Sequence, residues 1–455
     1  MTVEAATPRD KELFAWVEAV RAGAIVRASL ASGGNRARSW AIDLRRPDGA
    51  IEDLFLRYSL PRPPSGEPYT IWREAQVYRA IAPAKLKAPR LVAEHPSLPA
   101  LLTDRAAGIA EFRRLTDPAA KASIAAEFME NLARLHALPV SGLKLDAGVD
   151  SPRIIDHVRA EIGIWRAMYE ETAVRDPLIE FAFRWLERMS PDPDEPPVLA
   201  HGDAGPGNFL FAGDRLTALI DWELAHLGDP MEDLAWFSMR CVMEPVPDFN
   251  ATLAAYAVAS GRTLDRFRIL YHRVLVSARV TVIRHRNVTG EAGNAIVSRA
   301  LNRRLLVQAL GDAAGLDPAP PPIPTSPPSD REALYDGLLA DLRAVATAPG
   351  SDRPAIVAAK SASKVAKYLK AHDRHGAALE AAELAALAEM LGEPPTGLAA
   401  GRLALAGALS RDEVSFERAL AFFALQSAGE ALLAAESSGG IAARAYPALE
   451  IASAR

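Results

Sequence analysis

The first hundred residues alternate apolar and polar positions with a period of two, which predicts a strand-rich region with few helices. A first helix is expected after Thr7, which would cap it, with Pro8 in its first turn. The remaining predicted elements here are strands at 25–30, 39–44, 51–58, 91–94 and 98–103 and a helix at 70–82.

Helical periodicity dominates from about 119 to 313, and a loop and a short hairpin interrupt it at 198–223. Seven prolines then crowd residues 317–328, so we expect an extended linker at 314–330. Beyond it, alanine-rich amphipathic patterns without a strand signal predict a helical bundle. Its predicted helices are 331–347, 353–371, 375–391 and 411–436.

Composition narrows the class of protein. Of the 455 residues, 49% are apolar, enough for a large core, and the net charge of −5 argues against nucleic-acid or membrane-surface binding. One cysteine, Cys241, excludes an intramolecular disulfide and a cysteine-based metal cluster. The start lacks an apolar signal core, and we find no run of about 18 apolar residues. We therefore expect a soluble, cytoplasmic protein.

The segment 200–233 carries the candidate chemistry. His201-Gly202-Asp203 lies in a loop rich in glycine and proline, Asn208 follows, and a predicted hairpin ends at Asp221. The hairpin should bring Asp203, Asn208 and Asp221 to one edge, where two carboxylates and an amide oxygen suit Mg²⁺. Phosphoryl transfer uses such a set, and the D-x-x-x-x-N spacing matches the catalytic loop of protein kinases.

This stretch resembles the aminoglycoside phosphotransferase-like small-molecule kinases of the choline-kinase type, whose signature is H-G-D-x-x-x-x-N, a hairpin and I-D-W. The continuation, Asp221-Trp-Glu-Leu-Ala-His-Leu-Gly-Asp-Pro-Met-Glu-Asp-Leu-Ala, resembles the branch related to the kinase domain fused to some acyl-CoA dehydrogenases. The resemblance spans roughly residues 20–310. It implies an α+β, protein-kinase-like two-lobed fold with a small β-rich N-lobe and a mainly helical C-lobe, followed here by an all-α domain.

The resemblance also implies a division of the chain. We assign the N-lobe to 1–104, the C-lobe with the catalytic loop to 105–313, the linker to 314–330 and the helical domain to 331–455. Nothing in the last segment suggests catalysis, so oligomerisation or docking of a partner remains open for it.

By resemblance, the protein is a kinase, a phosphotransferase with an alcohol group as acceptor, which uses ATP and Mg²⁺. Asp203 is then the catalytic base, and Asn208 and Asp221 are the metal ligands. ATP and GTP are not distinguished by these residues. A lone H-x-D would more often be an ordinary loop, but the ordered set with a hairpin between its members favours the kinase.

Nucleotide-binding residues are expected in the N-lobe. Gly33 and Gly34 lie where a turn should cover the phosphates, although the rest of that turn departs from the related branch. No lysine occurs between Lys11 and Lys85, so Arg57 is expected to replace the family's phosphate-binding lysine, with Glu74 as its partner. Thr103 belongs to the predicted hinge, 101–104, where backbone groups would hold the adenine.

Three residues near the motif have competing interpretations. We interpret Asp229, ahead of Pro230, as the cap of a helix and thus as structural. His136 lies on an apolar helical pattern and is interpreted as a packed core histidine. Glu223 has no assigned role, and a place behind the metal ligands is open for it.

The acceptor is inferred from charge. Segment 262–286 holds seven arginines against one acid, Asp265, and Arg262, Arg266 and Arg273 would share a helical face. This favours an anionic acceptor such as a hydroxy acid or hydroxyacyl-CoA. The alternative is a solvated or salt-bridged basic face with no role in binding.

Three alternative functions remain: an inactive kinase-like scaffold, an aminoglycoside or sugar kinase, and a protein kinase. The last is disfavoured, because the short stretch from Asp221 to Asp229 leaves no room for a long activation loop.

Overall fold

The computed structural model of the chain describes residues 6–31, 37–60, 68–145, 148–286, 292–317, 319–320, 322–323, 326–350 and 352–451. The predicted Gly33 and Gly34 lie outside the described residues.

The described chain forms nine strands and thirteen α-helices. The strands are β1 (Ala24–Leu30), β2 (Ala37–Arg45), β3 (Ile51–Ser59), β4 (Leu91–Glu94), β5 (Ala100–Asp104), β6 (Val198–Ala200), β7 (Phe209–Ala212), β8 (Arg215–Leu219) and β9 (His226–Gly228). The helices are α1 (Pro8–Arg21), α2 (Ile71–Ile81), α3 (Pro118–His136), α4 (Ile154–Glu170), α5 (Pro177–Arg188), α6 (Pro230–Met243), α7 (Phe249–Ser260), α8 (Arg266–Arg286), α9 (Ala292–Ala314), α10 (Glu332–Thr347), α11 (Arg353–Leu391), α12 (Leu398–Ser410) and α13 (Phe416–Ser438).

Contacts divide the chain into two compact units. The first comprises 1–164, 192–265 and 449–455, and the second comprises 165–191 and 266–448. The second unit thus groups α5, α8 and α9 with the C-terminal helices, whereas the sequence placed them in the C-lobe. The domain boundaries drawn from the sequence stay a prediction.

The first unit opens with an antiparallel five-stranded sheet in the order β1-β2-β3-β5-β4. Alternation along the strands buries one face of the sheet against α1, where Leu13 and Val17 join Trp40 and Leu54 in a single core cluster. In β3, Arg57 pairs in register with Leu101 of β5, so it projects from the middle of the sheet. The strands and the α2 helix confirm the predicted pattern.

Short strands support the chemistry-bearing loop in the rest of this unit. Strands β7 and β8 form the predicted hairpin, while β6 pairs with β9. The sequence analysis missed this second pair, because three-residue strands give no readable alternation. Helix α6 begins as predicted: Asp229 caps it by accepting a hydrogen bond from the Met231 N–H, and Pro230 is its first residue.

The second unit is helical, as expected, but two boundaries were predicted wrongly. Residues 353–391 form one continuous helix, α11, rather than two, because Gly376 is accommodated inside the helix. The helix predicted at 411–436 begins at Phe416, capped by Ser415, and the preceding α12 was missed. No described residue of 315–331 lies in an α-helix or strand, in line with a linker there.

One helical stretch among the described residues, Phe416–Ala443, is long and apolar enough to cross a membrane on length and composition alone. Half of its apolar window is buried inside the protein, and core helices of soluble proteins pass the same criterion.

Candidate active site

The His201-Gly202-Asp203 loop follows β6 in a conformation that requires glycine. Gly202 has a φ of 76°, and a Cβ there would lie 2.1 Å from the carbonyl oxygen of Leu224. The loop is also held from α6, where the Asp233 carboxylate accepts hydrogen bonds from the backbone N–H of His201 (2.7 Å) and of Gly202 (2.9 Å). The backbone that carries Asp203 is therefore fixed by neighbouring elements.

Asp233 is a buried carboxylate that the sequence analysis missed. Burial raises its pKa, but the hydrogen bond and charge of His136 and the charge of His201 more than offset this, so its pKa lies below the ordinary value. His136 Nε2 lies 2.9 Å from Asp233, and its Nδ1 lies 2.7 Å from the Tyr256 hydroxyl. His136 is buried, as predicted. It also contacts Asp233, which in turn holds the His201-Gly202 backbone.

Arg240 of α6 clamps the Asp203 carboxylate. Its Nε donates to Asp203 Oδ1 at 2.8 Å, and its second terminal nitrogen donates to Oδ2, a two-point contact that fixes the plane of the carboxylate. Burial lowers the pKa of Arg240, but the charge of Asp203 outweighs burial and the pKa is raised. No local sequence signal pointed to Arg240, which lies on α6, the helix that Asp229 caps.

Asn208 lies directly against the catalytic loop. Its Nδ2 donates to the backbone carbonyl of Asp203 at 2.8 Å, and the side chain is almost fully buried. Its backbone carbonyl accepts from the Ile220 N–H at 3.0 Å, which fixes the end of the hairpin beside Asp221. The amide oxygen of Asn208 accepts no hydrogen bond from a described residue, so it remains free for another ligand.

Asp221 adopts a left-handed backbone conformation with a φ of 67°, which is uncommon for residues other than glycine and often marks a functional position. One of its carboxylate oxygens lies 2.9 Å from the Arg57 guanidinium. Burial raises the pKa of Asp221, but the charges of Arg57 and Arg240 outweigh it and hold the pKa below its ordinary value. Asp221 therefore stays ionised near neutral pH.

Arg57 contacts three carboxylates at once. Its other nitrogens lie 3.3 Å from Glu74, the predicted partner, and 2.5 Å from Glu223. Burial raises the pKa of Glu74 to about 7, with a smaller contribution from the charges of Asp221 and Glu223, although the Arg57 charge opposes the shift. Glu223, left open by the sequence, is thus part of this cluster.

Thr103 is buried in the sheet, in register with Phe55 of β3 and with Leu91 of β4. Adenine binding at this hinge stays a prediction.

The arginine-rich segment does not form the predicted helical face. Helix α8 begins only at Arg266, so Arg262 precedes it, and Arg262 pairs with Glu195 at 2.7 Å. Within the second unit, Arg273 is buried over the Tyr446 ring and Arg279 over the Trp165 ring. These three arginines therefore pack against rings or pair with an acid inside the protein.

The donor set fits Mg²⁺. The free amide oxygen of Asn208 and the ionised carboxylate of Asp221 are hard oxygen ligands, and Mg²⁺ commonly takes only one or two from a protein, completing its shell with water and phosphate. Within the described ranges, no group of three or more His, Cys, Asp or Glu side chains is arranged as a metal site. Asn208 and Asp221 would therefore supply only part of the coordination shell of a metal ion.

The sheet, the braced loop and the oxygen donors define a kinase-like phosphotransferase architecture. The sequence profile of the phosphotransferase enzyme family, APH, matches residues 27–270, more than half of the chain. The chain belongs to this family, and the resemblance drawn from the motif is confirmed.

Two curated relatives are similar over a limited region. Human acyl-CoA dehydrogenase family member 11 is 33% identical over 136 residues, which are 28% of this chain and 17% of that protein. Mouse acyl-CoA dehydrogenase family member 10 is 26% identical over 151 residues, 32% of this chain and 12% of that protein. The matched regions therefore span less than one fifth of each relative.

Among solved structures, a presumed aminoglycoside phosphotransferase from Ralstonia eutropha is similar with a TM-score of 0.50 and 18% identity. The match covers 68% of this chain and 98% of the other. This likeness confirms the predicted α+β, protein-kinase-like fold.

Proposed function

We propose that this protein transfers the γ-phosphoryl group of ATP to a hydroxyl group of a small molecule. The observation that carries the proposal is the placement of Asp203. Asp233 holds the backbone of the loop just before Asp203, and Arg240 holds the Asp203 carboxylate. The Asp203 carbonyl accepts a hydrogen bond from Asn208, whose own carbonyl is bound by the residue before the ionised Asp221. Phosphoryl transfer depends mainly on such positioning and on charge.

In the proposed reaction, an acceptor hydroxyl donates a hydrogen bond to the Asp203 carboxylate. The acceptor oxygen forms a bond to the γ-phosphorus as the bond to the bridging oxygen breaks; ADP leaves, and the hydroxyl proton passes to Asp203. Mg²⁺, bound by Asn208 and Asp221, would neutralise charge on the phosphates. Arg240 keeps the Asp203 carboxylate aimed, because a two-point contact restricts its rotation.

Arg57 is proposed to bind the nucleotide phosphates in place of a lysine. Its guanidinium is anchored by Glu74 in the first turn of α2, so its direction is set before nucleotide arrives. Contact with Asp221 places it beside the proposed metal ligand. A planar guanidinium suits bidentate binding of phosphate oxygens.

For the acceptor, we propose an anionic hydroxy compound, either a hydroxy acid or a hydroxyacyl-CoA. Two relatives are named for the acyl-CoA dehydrogenase family, which supports an acyl-type acceptor. The arginine-rich segment lends less support than its sequence suggested, since Arg262, Arg273 and Arg279 have contacts inside the protein.

The acceptor is tested by incubating the full chain with ATP and Mg²⁺ and a panel of hydroxyacyl-CoAs, hydroxy acids, sugars and aminoglycosides. Mass spectrometry then detects any acceptor that has gained one phosphoryl group. We expect phosphorylation of an anionic member. Phosphorylation of cationic aminosugars alone would overturn the anionic acceptor while leaving the kinase intact.

An inactive nucleotide-binding scaffold is the second candidate, and one observation favours it. Arg57 closes an ion cluster with Glu74, Glu223 and Asp221, so a proposed metal ligand is already paired. A scaffold would bind Mg-ATP tightly, and no acceptor would be phosphorylated.

A further inference from the structure

A cavity of about 560 Å³ lies inside the second, helical unit, among α8, α9, α11 and α13. Its volume falls within the range of small-molecule sites, roughly 300–1,000 Å³. It is built entirely from residues that the proposed phosphotransfer site does not use, so it requires an explanation of its own.

Two glycines in the middle of helices line the cavity. Gly376 of α11 and Gly429 of α13 are both buried and both face it. A Cβ on Gly429 would approach the Leu379 side chain to 3.2 Å, and one on Gly376 would meet the His372 ring at 2.9 Å. Glycine inside a helix is less favourable than alanine, and alanine is abundant in both helices. A side chain at either position would crowd a neighbouring side chain, so glycine is favoured there despite its low helix propensity.

One wall of the cavity is apolar. Along α13, Leu425, Gly429 and Leu433 recur every fourth residue and so share one face, and Leu379 of α11 and Ile296 of α9 also line the space. These side chains are only half-buried, because the cavity leaves part of each uncovered. An apolar body of a ligand would cover them.

The opposite wall of the cavity is polar and carries a ladder of paired charges. Arg303 pairs with Asp176 and with Glu430, and its guanidinium donates to the Gln426 amide oxygen at 2.5 Å. Gln426 in turn donates to Glu383 at 2.9 Å, and Arg402 binds Glu383 through two hydrogen bonds of 2.6 and 2.7 Å. The ladder holds three acids against two arginines, and Arg299, 3.9 Å from Glu430, supplies the third positive charge. These contacts rigidify the polar wall of the cavity.

Several polar residues that line the cavity lie outside the ladder. Asn302 is 93% buried, with 7% of its surface exposed, and its amide has no hydrogen-bond partner among the described residues. Arg284 is exposed, lines the cavity and makes no ion pair with any residue that the structure describes; Arg299 reaches Glu430 only at 3.9 Å. Glu380, on α11, is the lining acid outside the ladder. An exposed arginine without an ion pair and a buried amide without a hydrogen-bond partner among the described residues favour an anionic head group.

We propose that this cavity is a binding site for a small anionic amphiphile, whose head group contacts Arg284 and Arg299 and hydrogen-bonds to Asn302 while its apolar body covers Leu379, Leu425 and Leu433. This site is separate from the phosphotransfer site and does not depend on the proposed function.

The test is isothermal titration of the full-length protein with decanoate, compared with decanol and with decyltrimethylammonium. We expect decanoate to bind best. Gly429→Leu should weaken binding at least tenfold, because the leucine side chain would occupy space in the cavity beside Leu379. Leucine is also a better helix former than glycine, so the helix itself is not disfavoured. Gly337→Leu is the matched control, since Gly337 lies in mid-helix in α10 with open space beside it, and it should leave binding unchanged.

A second pair of variants tests the head group independently of filling. Arg284→Gln should weaken decanoate binding about tenfold, whereas Arg343→Gln, which removes an exposed arginine of α10, should not. No decanoate binding at about 1 mM, equal binding of the cationic probe, or identical behaviour of Gly429→Leu and Gly337→Leu would each overturn the proposal. If Gly429→Leu lowers the melting temperature of the protein, the comparison of Arg284→Gln with Arg343→Gln tests the proposal instead.

Discussion

Arginines bind acidic side chains in both units of this molecule, but with different consequences. In the first unit, Arg57 and Arg240 hold Asp221 and Asp203, two acids of a recognisable motif. In the second unit, Arg303 pairs with Asp176 inside a helical core where no motif is present. A buried ion pair by itself therefore does not mark a site; what distinguishes the first unit is a carboxylate braced on a loop beside an unpaired amide oxygen.

The largest effect is expected from Asp203→Asn. Loss of the proposed base should lower the phosphotransfer rate by about 10³-fold, equivalent to about 4 kcal/mol in the activation barrier. Steady-state kinetics with the phosphorylated acceptor measures this loss. Asp214→Asn, in the exposed hairpin turn, is the matched control and should retain full activity. Equal activity of the two variants would remove Asp203 from the mechanism.

Arg303→Met should instead act on stability. It leaves Asp176 and Glu430 buried without their main partner, and we expect a loss of about 3–4 kcal/mol in the free energy of unfolding, measured with urea. The rate of phosphotransfer per folded molecule should not change. A variant of normal stability would show that the second unit does not depend on this pair.

The same pair should respond to acid with a defined sign. Burial raises the pKa of Asp176, but the charges of Arg303 and Arg299 outweigh it, so the folded pKa lies below 3.8. The pair therefore contributes stability above about pH 4 and loses it as the pH falls through the lower, folded value. Thermal melts of wild type and Asp176→Asn should converge as the pH is lowered; curves that stay parallel would contradict this.

Asp233→Asn should have an intermediate effect on both properties. The neutral amide weakens the hydrogen bonds to the His201 and Gly202 N–H groups, so we expect about 2 kcal/mol of destabilisation and about tenfold slower phosphotransfer. Denaturant unfolding and kinetics on the same preparation separate the two effects. Unchanged kinetics would mean that the loop holds its shape without α6.

The smallest effect is expected from Arg57→Lys. Lysine keeps the charge but lacks the fork that spans Glu74, Asp221 and Glu223. We expect the KM for ATP to rise about tenfold, with kcat changed less. A variant that binds ATP better than wild type would indicate that Arg57 blocks the site rather than serving it.

Local sequence patterns also predict the two units to different extents. Local spacing and a hairpin predicted that Asp203, Asn208 and Asp221 come together, and Asn208 indeed contacts Asp203. A joint metal site with Asp221 stays a prediction. Arg240 and Asp233 were missed, since their contacts depend on how α6 packs over the loop, which no local pattern records.

In segment 262–286, the pattern of charge indicated more exposed positive charge than the structure shows. Positive charge along 262–286 favoured an anionic acceptor, but Arg273 and Arg279 are buried against aromatic rings distant in sequence. Charge patterning indicates a surface only when the helix face is known to meet solvent. The strands of the N-terminal sheet were predictable because alternation records burial directly.

The central claim is that the braced Asp203 loop transfers phosphate from ATP to a small-molecule hydroxyl. The most direct measurement is ³¹P NMR of the full chain with ATP, Mg²⁺ and a small-molecule cell extract, run in parallel with Asp203→Asn. The account predicts that ATP signals decline as a new phosphomonoester signal grows with wild type and not with the variant. Tight ATP binding with no new signal from wild type, or the same signal from both proteins, would contradict it.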